Sequence, residues 1–208
     1  MNTPRVKICG LTNENDALEL SKYDVSAFGF IVPEKKSLPS SIDTNLASEI
    51  ISKLPSHILT VVGIAIDYPS PEEIIDICKK TNAEVVQIQV GGTLSGIRRI
   101  REKMPYLKIW KVFFTNVKPN LDKIANFEKV TDSILIHSRE EEWKIGLRIK
   151  QVLKKPFILA GGLNLNNVKK AIKKFNPFYI DLIRGTETTP GKKDFNKVEK
   201  LIRLTRVT

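Results

Sequence analysis

Residues 157–175 read FILAGGLNLNNVKKAIKKF and place a short apolar run, a glycine pair and a helical pattern one after the other. The run 157–160 has the length and composition of a buried strand. Gly161 and Gly162 interrupt it, and from residue 166 onward apolar side chains recur at helical spacing with lysines between them. This order predicts a strand, a tight turn and a helix that packs back against the strand.

The same unit recurs along the whole chain. We predict strands at 5–9, 27–32, 60–65, 84–89, 108–112, 133–136, 157–160 and 179–181, and helices at 13–23, 45–54, 71–81, 94–102, 120–126, 140–153, 166–175 and 195–205. Strict alternation indicates parallel strands joined by right-handed crossovers. Eight such units predict an α/β fold, a single-domain (β/α)8 TIM barrel with a closed, parallel eight-stranded sheet that spans residues 1–208. A doubly wound open sheet is the alternative.

The composition is typical of a folded, soluble chain. The 208 residues include 34 Lys and Arg against 23 Asp and Glu, a net charge of +11, and 41% are hydrophobic. No apolar run reaches the roughly 18 residues that a membrane span needs, and no apolar signal segment precedes the first strand. Cys9 and Cys78 are too few for a disulfide scaffold. We expect a cytoplasmic protein with no membrane partner.

The excess of positive charge has two interpretations. A pI near 9.6 is typical of proteins that bind nucleic acid. The basic residues are dispersed pairs, mostly on predicted outer helices, and no aromatic ladder or nucleic-acid-binding motif accompanies them. We therefore expect mainly a solvated surface, and nucleic acid is the disfavoured partner.

Active sites of barrel enzymes lie at the carboxyl ends of the strands. Gly161 and Gly162 end the seventh predicted strand, and Gly185 and Thr186 follow the eighth. Glycines let backbone N–H groups approach an anion closely, and a helix N-terminus favours negative charge. We predict that these four residues bind a phosphate group, so the expected partner is a small phosphorylated molecule. Ordinary turn chemistry is the alternative for the glycines.

Polar and charged side chains at this end of the barrel are candidates for contact with an anionic substrate. Burial of an inward-facing polar group is costly unless the group is hydrogen-bonded or contacts a ligand. For the residues within strands, a network of hydrogen bonds inside the barrel is therefore the alternative to substrate binding. The candidate substrate-binding residues are Lys7, Lys36, Gln87, Lys111, Asp181 and Arg184.

Cys9 and His137 are the candidate catalytic residues. Cys9 ends the first predicted strand beside Lys7, a neighbour that can lower the pKa of the thiol and favour the reactive thiolate. His137 follows the sixth strand and can exchange a proton near neutral pH. A small buried hydrophobe and a structural histidine are the alternatives. His57 precedes the third strand, so we place it at the surface of the opposite end.

The motifs, in this order, resemble the phosphoribosylanthranilate isomerase family. The resemblance is carried by KICGLT at 7–12, Gly-Phe at 29–30, VQI at 86–88, GGLN at 161–164 and the ending from Asp181 through Gly185 and Glu187 to PGKKD at 190–194. It implies an Amadori rearrangement in tryptophan biosynthesis that uses no metal and no organic cofactor. It also implies that Cys9 is the general base that removes the sugar C2 proton, that the glycine loops hold the phosphate and that Asp181 orients the substrate.

The chain departs from the family pattern around the acid. His137 stands where the family has an aspartate, SREEEW at 138–143 replaces a glycine-rich loop, and Lys36 replaces an arginine only in part because it lacks the planar fork. We predict that His137 is the general acid, with a pKa raised by a nearby carboxylate or thiolate.

A diverged sugar-phosphate barrel with another or no activity is one alternative, and a basic nucleic-acid-binding protein is the other. We expect a monomer or a homodimer.

Overall fold

Eight parallel strands form a closed barrel in the computed structural model, which describes residues 3–206. The strands are β1 (Arg5–Cys9), β2 (Ala27–Val32), β3 (Leu59–Ile64), β4 (Val85–Ile88), β5 (Lys108–Phe114), β6 (Ser133–His137), β7 (Ile158–Ala160) and β8 (Tyr179–Leu182). They follow one another in chain order, and β1 pairs with β8 to close the barrel. This confirms the predicted (β/α)8 fold and rules out the open sheet. The ends of the predicted domain, residues 1–2 and 207–208, lie outside the described residues.

One helix follows each strand. The helices are α1 (Glu14–Leu20), α2 (Thr44–Ser52), α3 (Pro71–Thr81), α4 (Leu94–Lys103), α5 (Leu121–Val130), α6 (Trp143–Val152), α7 (Val168–Phe175) and α8 (Phe195–Arg206). The bounds of α3 match the prediction because its caps are strong: Ser70 and Glu73 form a reciprocal capping box, and the left-handed Asn82 ends the helix. Within residues 3–206, no helix combines the length and the apolar character needed to cross a membrane.

Side chains alternate along each strand between the barrel interior and the helical layer. The interior cluster is apolar over much of its height and includes Trp110 and Tyr179, whose ring centroids are 5.5 Å apart. The opposite faces of the strands pack against the helices in a larger cluster that includes Ile8 and Phe28. A polar side chain at an interior position therefore lies in a largely apolar environment and needs a partner.

The fifth and sixth strands are longer than predicted. β5 continues to Phe114 and β6 to His137, because these two residues still pair in register. Lys111 is thus in the middle of β5 and not at its end, so that expectation is wrong. The next helix also starts later than predicted, since Glu140–Glu142 form a separate 3-10 turn before α6.

A short hairpin follows β8 and was not predicted. Its strands, β9 (Glu187–Thr189) and β10 (Lys192–Lys193), pair antiparallel around the turn Pro190-Gly191, where Gly191 has a φ of 84°. The Thr12 hydroxyl donates to Gly191 O at 2.6 Å, which ties the hairpin to the loop after β1. Two- and three-residue strands leave almost no periodic signal, so the pattern of the sequence does not reveal them.

Candidate active site

A cavity of about 440 Å³ opens at the carboxyl ends of the strands. It brings together seven of the predicted site residues: Cys9, Gln87, His137, Gly161, Gly162, Asp181 and Arg184. A second cavity, of about 620 Å³, lies at the opposite end of the barrel and is lined by the exposed His57 among others. We assign the active site to the smaller cavity, because it alone of the two contains the candidate acid, base and glycine loop.

A buried ion pair lies directly beneath this cavity. Lys7 Nζ donates to Asp181 Oδ2 at 2.8 Å and to Gln87 Oε1 at 3.2 Å, and the Lys7 side chain is fully buried. Burial lowers the pKa of Lys7, but Asp181 and Cys9 outweigh it, so the pKa is raised and the ammonium is retained. Lys7 therefore interacts with Asp181, Gln87 and Cys9 inside the barrel and does not line the cavity.

Cys9 lies next to this ion pair. The two meet over Gly29, where an added Cβ would lie 2.5 Å from Cys9 Sγ and 3.0 Å from Lys7 Nζ, so a glycine is required there. Burial raises the pKa of the Cys9 thiol, Lys7 opposes this and Asp181 adds to it. The net shift is upward, so the predicted lowering is wrong: the desolvation of the thiolate exceeds the attraction of the ammonium.

His137 projects from the end of β6 into the cavity, with its ring centroid 5.0 Å from that of Phe114. Burial lowers the pKa of His137; Asp181 and Glu142 partly offset this, and Arg139 adds to it. The predicted upward shift is therefore wrong in direction. At neutral pH the imidazole is mainly uncharged and carries one N–H donor.

The glycines in the strand loops allow close contact between neighbouring loops. Gly161 has a φ of 105°, and an added Cβ would lie 2.7 Å from the backbone of Ser138 after β6. An added Cβ on Gly185 would collide with Leu163 O in the loop after β7. The glycine pair and Gly185 thus hold the loops after β6, β7 and β8 against one another at the rim of the cavity.

The remaining predicted residues are placed differently. The Thr186 hydroxyl is buried and donates to Ile183 O at 2.5 Å, so it stabilises the loop to which it belongs. Lys36 is exposed and is not among the residues that line the cavity. Lys111 lies on the outer side of the barrel wall, where its ammonium donates to the carbonyl oxygens of Ile88, Gln89 and Val112. The structure does not bring these three residues to the cavity as contacts.

Three further polar residues line the cavity: Ser40, Gln89 and Arg139. The Arg139 Cγ lies 3.8 Å from the position of an added Cβ on Gly162, so its side chain passes over the glycine loop. Arg139 follows His137 by two residues, and its location at a strand end was a usable signal. Ser40 lies in a loop that no pattern connects to the barrel mouth.

The comparisons with known proteins agree with this geometry. Residues 6–203 match the family model described as N-(5'phosphoribosyl)anthranilate (PRA) isomerase. The N-(5'-phosphoribosyl)anthranilate isomerase of Methanosarcina acetivorans is 30% identical, with 98% of this chain and 94% of that protein covered. The Bacillus cereus enzyme of the same name is 33% identical, with 95% and 96% covered.

Solved structures give the same result. A crystal structure of phosphoribosyl anthranilate isomerase in complex with reduced 1-(o-carboxyphenylamino)-1-deoxyribulose 5-phosphate superposes with a TM-score of 0.85. The two chains are 27% identical, and the match covers 99% of this chain and 100% of that one. The barrel, the motifs in their order and these matches together place the protein: the chain belongs to the N-(5'-phosphoribosyl)anthranilate isomerase family.

Proposed function

We propose that the protein converts N-(5'-phosphoribosyl)anthranilate to 1-(2-carboxyphenylamino)-1-deoxyribulose 5-phosphate, an Amadori rearrangement in tryptophan biosynthesis, in the cytoplasm and as a monomer or homodimer. The observation that carries this proposal is the cavity in which Cys9, Asp181 and the Gly161-Gly162 loop meet in a member of this family. The roles of individual residues are part of the proposal.

The phosphate of the substrate binds at the loops after β7 and β8. Gly161 and Gly162 line the cavity with backbone that carries no side chain of its own, and Arg184 lines it from the next loop. Arg139 adds a second guanidinium on the side of β6. Two cations beside this glycine backbone favour a doubly charged anion over a neutral sugar.

The rest of the substrate lies over Cys9 and Asp181. Proton donation to the ring oxygen breaks the bond between that oxygen and C1, and C1 becomes a protonated Schiff base with the anilinic nitrogen. The Cys9 thiolate then removes the C2 proton, and the electron pair of the C–H bond moves toward the Schiff base to form an enolamine that tautomerises to the ketose. The Lys7 ammonium beside Cys9 stabilises the thiolate relative to an unpaired one.

Asp181 orients the substrate through an oxygen that the protein leaves free. Within the described residues, Asp181 Oδ1 is buried and has no hydrogen-bond partner, although Oδ2 is paired with Lys7. A buried carboxylate oxygen without a partner is costly, so a donor group of the bound substrate would satisfy it. Asp181 lines the cavity, which makes a sugar hydroxyl or the anilinic N–H the fitting donor.

His137 donates the proton in its imidazolium form, which is the minor form at neutral pH because burial lowers its pKa. Its replacement gives a testable result. We expect His137→Ala to lower kcat by roughly 100-fold with little change in KM, because general acid catalysis typically contributes a factor of 10²–10⁴. His137→Asp, which restores the carboxyl of the family pattern, is expected to recover part of the rate. Steady-state kinetics with the purified variants measures both. Full activity in His137→Ala would remove this residue from the mechanism.

The proposed function is tested with the unmodified protein. Purified protein is mixed with N-(5'-phosphoribosyl)anthranilate, and the disappearance of substrate and the formation of the ketose phosphate are followed. We expect turnover that inorganic phosphate inhibits competitively. Binding of phosphate without turnover would support the diverged barrel instead. Tight, steeply salt-dependent binding to labelled DNA or RNA, with no turnover, would support the nucleic-acid alternative.

A further inference from the structure

A second buried lysine lies beside Cys9, on the hairpin after β8. The Lys193 side chain is fully buried, and its Nζ donates to Cys9 O at 2.6 Å and to Glu187 Oε1 at 3.1 Å. The backbone N–H of Lys193 donates to Asp16 Oδ2 at the start of α1. One residue of β10 is thus hydrogen-bonded to the last residue of β1 and to the helix that follows it.

Glu187 completes this arrangement from β9. Its Oε1 also accepts from Gly191 N and from the Ser40 hydroxyl, both at 3.2 Å, so the carboxylate joins the hairpin to the loop after β2. Its Oε2 is buried and, within the described residues, has no hydrogen-bond partner; Arg184 Nε lies 3.9 Å from it. The Lys193–Glu187 pair is therefore a buried charge pair at the rim of the active site.

Three charged side chains act on the Cys9 thiol, namely Lys7, Asp181 and Lys193, and Glu187 is paired with the last of them. Lys7 belongs to β1, Asp181 to β8, Lys193 to β10 and Glu187 to β9, and Lys193 is one of the groups that lower the pKa of Cys9. Burial lowers the pKa of Lys193, and Glu187 opposes this without reversing it, so the Lys193 ammonium depends on its carboxylate partner. In a buried environment such charges act on the thiol with little screening by solvent.

We propose that Lys193 is a positioning residue for the base. It fixes the Cys9 backbone at the mouth of the barrel and favours ionisation of the Cys9 thiol to the thiolate, while Glu187 sets the strength of this effect. Neither residue lines the cavity, so the effect reaches the substrate only through Cys9. The proposal rests on the proposed role of Cys9 and deepens it. It predicts opposite effects of removing the positive and the negative member of the pair.

The test measures the Cys9 thiol directly, without substrate. Wild type, Lys193→Met and Glu187→Gln are treated with iodoacetamide over a range of pH, and modification of the Cys9 peptide is quantified by mass spectrometry. Alkylation follows the thiolate fraction. We expect Lys193→Met to move the alkylation midpoint to higher pH by about one unit, and Glu187→Gln, which retains the hydrogen-bonding shape, to move it to lower pH.

Two internal controls separate this effect from damage to the fold. Cys78, which is buried in α3 and whose pKa burial raises to about 12, reacts only if the protein unfolds. Lys197→Met removes a lysine that donates to Glu187 O from the exposed side, and we expect it to leave the midpoint unchanged. An unchanged midpoint in Lys193→Met, or shifts in the same direction in Lys193→Met and Glu187→Gln, would overturn the proposal. Full activity in Cys9→Ala would instead contradict the proposed role of Cys9 as the base, and a wild type without turnover would contradict the proposed function, so these failures are distinguishable from that of the present proposal.

Discussion

Replacement of Cys9 by alanine is expected to lower kcat of the isomerisation by about 10³, because general base catalysis by a positioned side chain typically contributes a factor of 10²–10⁴. The phosphate loops and Asp181 are untouched by this change, so KM is expected to change by less than about threefold. The measurement is steady-state kinetics with N-(5'-phosphoribosyl)anthranilate, together with a direct titration of product binding.

The pH dependence of kcat/KM also reports on the role of Cys9. Burial raises the pKa of the Cys9 thiol above its ordinary value. The thiolate fraction of Cys9 increases with pH through neutrality, while the imidazolium fraction of His137, whose pKa is lowered, decreases. Because the reaction needs both forms, kcat/KM is expected to be nearly level between the two pKa values and to decrease on either side. In Cys9→Ala only the dependence on His137 remains, so the residual activity is expected to decrease as the pH increases through neutrality.

Cys78→Ala is the matched control, since it removes the other free cysteine, which is also buried but lies on α3 and does not line the cavity. It is expected to keep the wild-type kcat and pH profile. A Cys9→Ala variant that retains more than a tenth of the wild-type kcat would show that another group takes the proton. The same loss in both variants would indicate damage to the fold.

The barrel could be predicted from the sequence because its signal is repeated. Residues 157–175 show an apolar run, a glycine turn and a helical pattern, and the same order recurs in every unit. Errors arise where neighbouring strands support each other beyond the apolar run: Phe114 and His137 extend β5 and β6 because they pair with one another. Local patterns contain no information on such pairing, and the same reason explains why Lys111 was placed at a strand end.

The candidate site could be predicted in its membership but not in its electrostatics. Strand ends predicted that Cys9, His137 and Asp181 would meet, and the cavity contains all three. The direction of the pKa shifts of Cys9 and His137 depends on how deeply each is buried, which adjacency in sequence does not show. The hydrogen bond from Lys193 to Cys9 O joins residues 184 positions apart, so only the fold reveals it.

Replacement of Lys7 by methionine is expected to have the largest effect on stability. Lys7 and Asp181 are 2.8 Å apart, with 0% and 3% of their side chains exposed. Removal of one member of a buried ion pair leaves an uncompensated charge and typically costs about 3–5 kcal/mol of unfolding free energy. We expect a loss of this size in urea denaturation at neutral pH. Lys7→Met combined with Asp181→Asn is expected to recover part of it, since no charge is then left alone.

Lys53→Met is the matched control for this experiment. Lys53 pairs with Glu14 at 2.5 Å, as close as the buried pair, but 50% and 40% of these side chains are exposed. Solvent screens such a pair and solvates the remaining carboxylate, so we expect only a small fraction of the loss seen for Lys7→Met. Equal losses in the two variants would contradict the assignment of the effect to burial. A Lys7→Met protein as stable as the wild type would contradict the assignment of this stability to the buried pair of Lys7 and Asp181.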